Sequence, residues 1–155
     1  MEPEAPGEPG VVDVPTAHRL LREDAGTVYL DVRTEEEFAA GHPQGALNVP
    51  IGTAHPAGMG LLPNPDFLTV VRSAVPPETP LLVGCRTGPR AEMAARALAE
   101  AGYAGVRWVL GGFDGIADPT GRVRAPGWRM LGLPEGTEAE RGASHRRLRR
   151  KAGLK

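Results

Sequence analysis

Leu81-Leu82-Val83-Gly84-Cys85-Arg86-Thr87-Gly88-Pro89-Arg90 is the stretch on which the fold turns. Its opening apolar run has the length and continuity of a strand buried on both faces of a parallel sheet. Residues 86–90 must then reverse the chain. Gly88 is expected to supply backbone angles that a side chain would forbid, and Pro89 suits the first turn of a helix. Over residues 90–101, Ala91, Ala94, Leu98 and Ala101 fall on one helical face, and Gly102 follows as a C-cap. Strand, tight loop and helix in that order form half of a parallel crossover unit.

The same alternation extends outward in both directions. Downstream, Val106-Arg107-Trp108-Val109-Leu110 reads as a strand and is followed by Gly111-Gly112. Upstream, Thr27-Val28-Tyr29-Leu30-Asp31-Val32 is a second apolar run. Thr34 and Glu37 form a capping box for a helix that carries Phe38 and stops at Gly41. Ala46-Leu47-Asn48-Val49-Pro50 is a short strand, residues 51–63 read as a Gly/Pro-rich loop, and Asn64-Pro65 opens a helix over 66–74. Val11-Val12-Asp13-Val14 is a strand candidate, after which Pro15-Thr16 opens a helix. Strands and helices alternate throughout, which predicts an α/β domain with a mainly parallel sheet. Residues 1–10 read as a disordered arm and 11–117 as the domain. Residues 118–155 read as a C-terminal extension, partly packed through Trp128 and Leu131, with a mobile basic end.

Composition narrows the chemistry. The 155 residues hold one cysteine, so no intrachain disulfide or multi-cysteine zinc site can form. Net charge is −1, which argues against nucleic acid as a partner, although residues 146–155 carry four Arg and two Lys. No stretch approaches the about 18 apolar residues of a membrane span. The first residues lack the basic and apolar regions of a signal peptide, so the expected location is cytoplasmic. His18, His55 and His145 show no metal-ligand spacing, and no metal site is expected.

Cys85 is the candidate nucleophile. It lies at the carboxyl end of a strand, the edge where open α/β sheets bind ligands. The turn's N–H groups, the helix end after Pro89 and the charges of Arg86 and Arg90 all favour thiolate over thiol. The segment Arg86, Thr87, Gly88, Pro89 and Arg90 is the candidate binding loop for a small anion. Asp31 and Arg33 are candidate supporting residues, with Asp31 read as pairing with Arg33 or a backbone N–H. Arg33 and Glu37 are expected to form a fold-supporting ion pair. His42 is read as structural rather than as a general base.

Two motifs resemble the rhodanese homology domain. Asp31-Val32-Arg33, Glu37-Phe38, Gly41-His42, Gly45-Ala46, Asn48 and Pro50 are similar to its first signature, and residues 85–90 to its active-site loop. Gly111-Gly112 resembles a weaker third element. The family often has an aliphatic residue where Pro43 stands, and an aromatic one near the place of Ile116. The resemblance implies a five-stranded parallel sheet with helices on both faces and no cofactor. It also implies a sulfurtransferase in which Cys85 takes a sulfane sulfur from an anionic donor such as thiosulfate and passes it to a thiophilic acceptor, a protein thiol among the candidates. Two alternatives stay open. One is a non-catalytic binding or regulatory module. The other is a phosphatase or arsenate reductase, whose loops place five residues between Cys and Arg where this chain has four.

Overall fold

The computed structural model describes residues 8–136 and 143–155. The elements, in chain order, are β1 (Gly10–Asp13), α1 (Val14–Glu23), β2 (Val28–Asp31), α2 (Glu35–Ala40), β3 (His42–Pro43) and β4 (Leu47–Asn48). There follow β5 (Gly52–Ala54), β6 (Leu61–Pro63), α3 (Phe67–Ala74), β7 (Leu81–Gly84), α4 (Pro89–Glu100) and β8 (Val106–Leu110). Next comes β9 (Ile116–Ala117), and the extension holds β10 (Val123–Ala125), β11 (Glu135–Gly136) and α5 (His145–Lys151).

The main sheet has five strands in the order β1-β8-β7-β2-β4, and every neighbouring pair is parallel. β7 is central because its side chains are buried on both faces, as its apolar run requires. Leu30, Leu81 and Val83 point to one face and pack with α3, α4 and Leu148 of α5. Tyr29, Leu82 and Val109 point to the other, where Val14 and Ala17 of α1, Phe38 of α2 and Trp128 cover them. The α/β architecture with helices on both faces is therefore present. The register sets Asp31 beside both Gly84 and Asn48, so these residues form one row at the carboxyl edge. Cys85 follows directly from that row.

Several local expectations need correction. α1 begins at Val14, so that residue leaves the strand, and Asp13 caps the helix by accepting from Thr16 N–H at 2.9 Å. Residues 51–63 are not all loop, because β5 and β6 pair as an antiparallel hairpin. Of the arm expected over residues 1–10, residues 1–7 lie outside the described residues, and Gly10 already belongs to β1.

The extension is where the sequence reading departs furthest from the structure. Trp128 is buried, its ring edge-on to Tyr29 at 5.7 Å, but Leu131 is exposed and anchors nothing. The chain then returns to the domain, where β11 pairs with β3 and Trp128 Nε1 donates to Pro134 O at 2.8 Å. The basic end, expected to be mobile, forms α5. Leu148 enters the core, Arg149 pairs with Asp66 at 2.9 Å, and His145 Nδ1 lies 2.7 Å from Glu35. The charges of this segment hid its apolar anchor, Leu148, with Ala152 and Leu154 packed against the same core. Its helix completes its core face only with help from α3, so it has no apolar stripe of its own to read. No described helix is long and apolar enough to cross a membrane.

Candidate active site

Cys85 stands at the end of β7, 2% exposed. The loop that follows is held by its carbonyls. Cys85 O accepts from Phe113 N–H at 2.9 Å, Arg86 O from Asp114 N–H at 2.8 Å, and Thr87 O from Gly111 N–H at 2.8 Å. All three donors lie in the segment just after β8. With the carbonyls turned that way, the loop's N–H groups are left over. Among the described residues, no acceptor takes the N–H of Arg86, Thr87, Gly88, Arg90 or Ala91. Orphan donors at a helix start are ordinary. Five of them within residues 86–91 leave the loop next to Cys85 with unspent positive polarity, which favours an anion.

This docking explains Gly111-Gly112. Gly112 has φ +55°, and a Cβ there would collide with the Cys85 carbonyl. Gly111 has φ +101° and closes against the Pro126 carbonyl. The expectation for Gly88 is corrected. Its φ of 166° is extended backbone open to any residue, and its constraint is space, since a Cβ would stand 3.1 Å from the Trp108 ring.

The charged residues sort into pairs. Asp31 and Arg33 form a buried pair at 2.8 Å, and Arg33 Nη2 also donates to Gly41 O at 2.7 Å. Asp31 additionally accepts from the Arg33 N–H at 3.0 Å, as expected of it. The expected Arg33–Glu37 pair is absent. Glu37 instead takes Arg90 Nη1 at 2.7 Å and Nη2 at 3.1 Å while completing the capping box with Thr34. A tertiary bidentate partner outcompetes a helix neighbour because its fork geometry satisfies both carboxylate oxygens at once. Burial would raise the Glu37 carboxyl, but the Arg90 and Thr34 hydrogen bonds outweigh it and bring it down to about 2. Arg90, read as a charge for the loop, is thus a clamp between α4 and α2. Arg86 is exposed and meets Asp114 at 2.7 Å.

The remaining candidates are placed as follows. His42 is fully buried, Nδ1 lies 2.7 Å from Phe38 O, and its ring stacks on Phe38, a structural setting. Asn48 donates to the carbonyls of Asp31 and Arg33 and pins the exit of β2. Burial pushes the Tyr29 hydroxyl up, and that hydroxyl occupies the space where a Gly84 side chain would go. No cluster of His, Cys, Asp or Glu suited to a metal occurs among the described residues.

Sequence reasoning passed over Phe113, Asp114 and Arg129. The guanidinium carbons of Arg33 and Arg129 lie 4.6 and 4.7 Å from the centre of the Phe113 ring. These residues line a cleft of about 190 Å³ with Arg33, Glu37, Ala40, Gly41 and Arg86. The signal was an aromatic residue directly after paired glycines, at Phe113 rather than at Ile116. A larger cavity, about 620 Å³, lies elsewhere, between Glu35 and the basic side chains of α5 and Lys155, and contains no residue of the cysteine loop.

A strand-end cysteine in such a loop defines a class, and comparison with known proteins agrees with it. Residues 14–118 match the rhodanese-like domain, and the chain belongs to that family. It is 44% identical over 109 residues to thiosulfate sulfurtransferase 16, chloroplastic, of Arabidopsis thaliana, covering 70% of this chain and 88% of that protein. It is 42% identical over 104 residues to thiosulfate sulfurtransferase 18 of the same plant, covering 66% and 74%. Of some other curated relatives the chain spans little more than half the length. The crystal structure of Rv0390 from M. tuberculosis superposes with a TM-score of 0.67 at 31% identity, covering 83% of this chain and 97% of that one. These relatives support a sulfurtransferase-like role.

Proposed function

We propose that this chain is a sulfurtransferase that carries a sulfane sulfur on Cys85 as a persulfide. The observation that carries the reading is the polarity of the loop. The carbonyls of Cys85, Arg86 and Thr87 are spent on residues 111, 113 and 114, and five N–H groups of residues 86–91 have no acceptor among the described residues. The Cys85 thiolate attacks the outer sulfur of an anionic donor such as thiosulfate. A new S–S bond forms to Cys85, the donor's S–S bond breaks, and sulfite leaves with the electron pair. The loop's N–H dipoles hold the terminal sulfur, which stands about 2 Å beyond Sγ. A thiophilic acceptor, cyanide or a small or protein thiol, then attacks that sulfur and returns the thiolate. Every proton and electron is accounted for without a cofactor. Sulfite is a stable anion, so no general acid is needed, which agrees with His42 being occupied in packing.

The loop's length sets this reading against phosphate chemistry. Four residues separate Cys85 from Arg90, one fewer than in the phosphatase pattern, and Arg90 is tied to Glu37 rather than free to grip an oxyanion. The test is sulfur transfer from thiosulfate to cyanide by the wild type and by Cys85→Ser. Transfer by the wild type that falls to background in the variant, with an unchanged melting temperature, is expected. Equal rates for both proteins would overturn the assignment of Cys85. Aryl phosphate hydrolysis lost in Cys85→Ser would favour the phosphatase reading instead.

A further inference from the structure

The cavity of about 620 Å³ at α5 shares no residue with the cysteine loop, and its volume is in the range of small-molecule sites. It is lined by Arg146, Arg149, Arg150, Lys155 and Glu35. Helical spacing sets Arg146, Arg149 and Arg150 on one face of α5. Lys155 reaches the same cavity because the chain turns back after the helix. Gly153 takes a left-handed φ of +81°, Leu154 N–H donates to Arg149 O at 2.9 Å, and the Leu154 side chain packs on the core. Arg149 is held at two points: Nη1 pairs with Asp66 at 2.9 Å, and Nε donates to Lys155 O at 3.0 Å. Glu35, the one carboxylate in the lining, is taken by His145 at 2.7 Å. Among the described residues, the side chains of Arg146, Arg150 and Lys155 make no hydrogen bond or ion pair.

Helix energetics account for only part of this arrangement. Cations in the last turn, Arg149 to Lys151, suit the helix dipole, but Arg146 stands in the first turn, where a positive charge is disfavoured. Arg146 and Arg150 also repel each other at i and i+4. Residues 143–155 hold six Arg and Lys and no Asp or Glu, whereas residues 1–142 hold twelve against nineteen, a net charge of −7. The cationic cavity thus costs stability until an anion enters it. We propose that it binds a small oxyanion of two or more charges, a di- or triphosphate or a polycarboxylate, gripped by Arg146, Arg150 and Lys155. Arginine forks match carboxylate and phosphate alike. The lining has no aromatic ring on which a base could stack. The seven residues of α5 span only about 10 Å, so a nucleic acid, with its closely spaced phosphates, would run on over the acidic remainder of the chain.

Titration calorimetry of the full chain at constant ionic strength tests this, with pyrophosphate, tricarballylate and acetate as probes. At least one of the two multivalent probes should bind at one site per chain, about tenfold or more tighter than acetate, and should raise the melting temperature. Whichever of them binds tighter tells phosphate from carboxylate. The double variant Arg146→Gln/Arg150→Gln removes two exposed side chains. It should weaken that binding about a hundredfold, the scale of two charge-assisted hydrogen bonds, and leave the unliganded chain at least as stable. Arg147→Gln/Lys151→Gln removes the same charge from side chains outside the cavity and should change affinity by less than about threefold, because exposed charges are screened. Equal losses in the two double variants would overturn the proposal, since the attraction would then be diffuse. So would the failure of both multivalent probes to bind. Affinity for oligonucleotides or oligoglutamates that exceeds that of the small probes and grows with length would overturn it in favour of a macromolecular partner. None of these readouts depends on sulfur transfer by Cys85.

Discussion

The cysteine loop and the C-terminal extension are built by opposite means. The loop's residues, 84–91, follow one another along the chain, although residues 111, 113 and 114 hold its carbonyls; on the proposed function, what they offer a ligand is backbone N–H. The extension is assembled by long-range contacts. β11 lies on β3, Trp128 on Tyr29, and α5 on α3, each bringing together residues far apart in sequence. On the proposed function the loop carries the chemistry, and its large exposed side chain is Arg86. The extension buries apolar side chains and supplies one wall of the cleft through Arg129. Changes in the loop should therefore alter activity more than stability, and changes in the extension the reverse.

The sharpest way to break that division is Trp128→Ala. Its ring is buried, and its Nε1 holds Pro134 O. Truncation should cost about 3–5 kcal/mol, measured by urea unfolding, while the surviving folded fraction still transfers sulfur to cyanide. A loss under about 1 kcal/mol would place the tryptophan outside the cooperative core. Leu148→Ala follows, at about 2–5 kcal/mol. An unchanged unfolding midpoint would mean that α5 contributes nothing to the fold.

Arg86→Ala tests the other side. The side chain is 60% exposed and its ion pair with Asp114 is a surface one, so stability should change by less than about 0.5 kcal/mol. KM for thiosulfate should rise by about tenfold, the scale of one hydrogen bond to a charged group. A change in unfolding midpoint with KM unaltered would invert the assignment. A pH-dependent test lies in Glu37. Its carboxyl is lowered in the folded chain from 4.5 to about 2, so the stability it contributes is complete above pH 4.5 and is lost as pH falls towards 2. Between those values the unfolding free energy of the wild type should fall more steeply than that of Glu37→Gln. Parallel curves would show that the Arg90 clamp contributes nothing.

These contrasts also explain what could be read before the fold was known. β7, the cysteine and α4 were legible because apolar continuity, Pro89 and the Ala/Leu face are local signals. The Thr34–Glu37 capping box was legible for the same reason. Glu37's second duty was not, since Arg90 stands 53 positions away. The β5–β6 hairpin was missed because its Gly, Thr and Ala residues show no alternation, and its pairing is the only evidence of it. Arg129 and α5 were missed because each is defined by its neighbours: a ring at Phe113 in one case, α3 and Asp66 in the other.

The central claim is that Cys85 holds a transferable sulfur. It is tested most directly by the intact mass of the protein after incubation with thiosulfate. The chain contains no other cysteine, so the outcome has one address. The account predicts a mass gain of one sulfur atom in the wild type, removed by a reductant or by cyanide and absent in Cys85→Ser. No gain in the wild type, or the same gain in the variant, would contradict it.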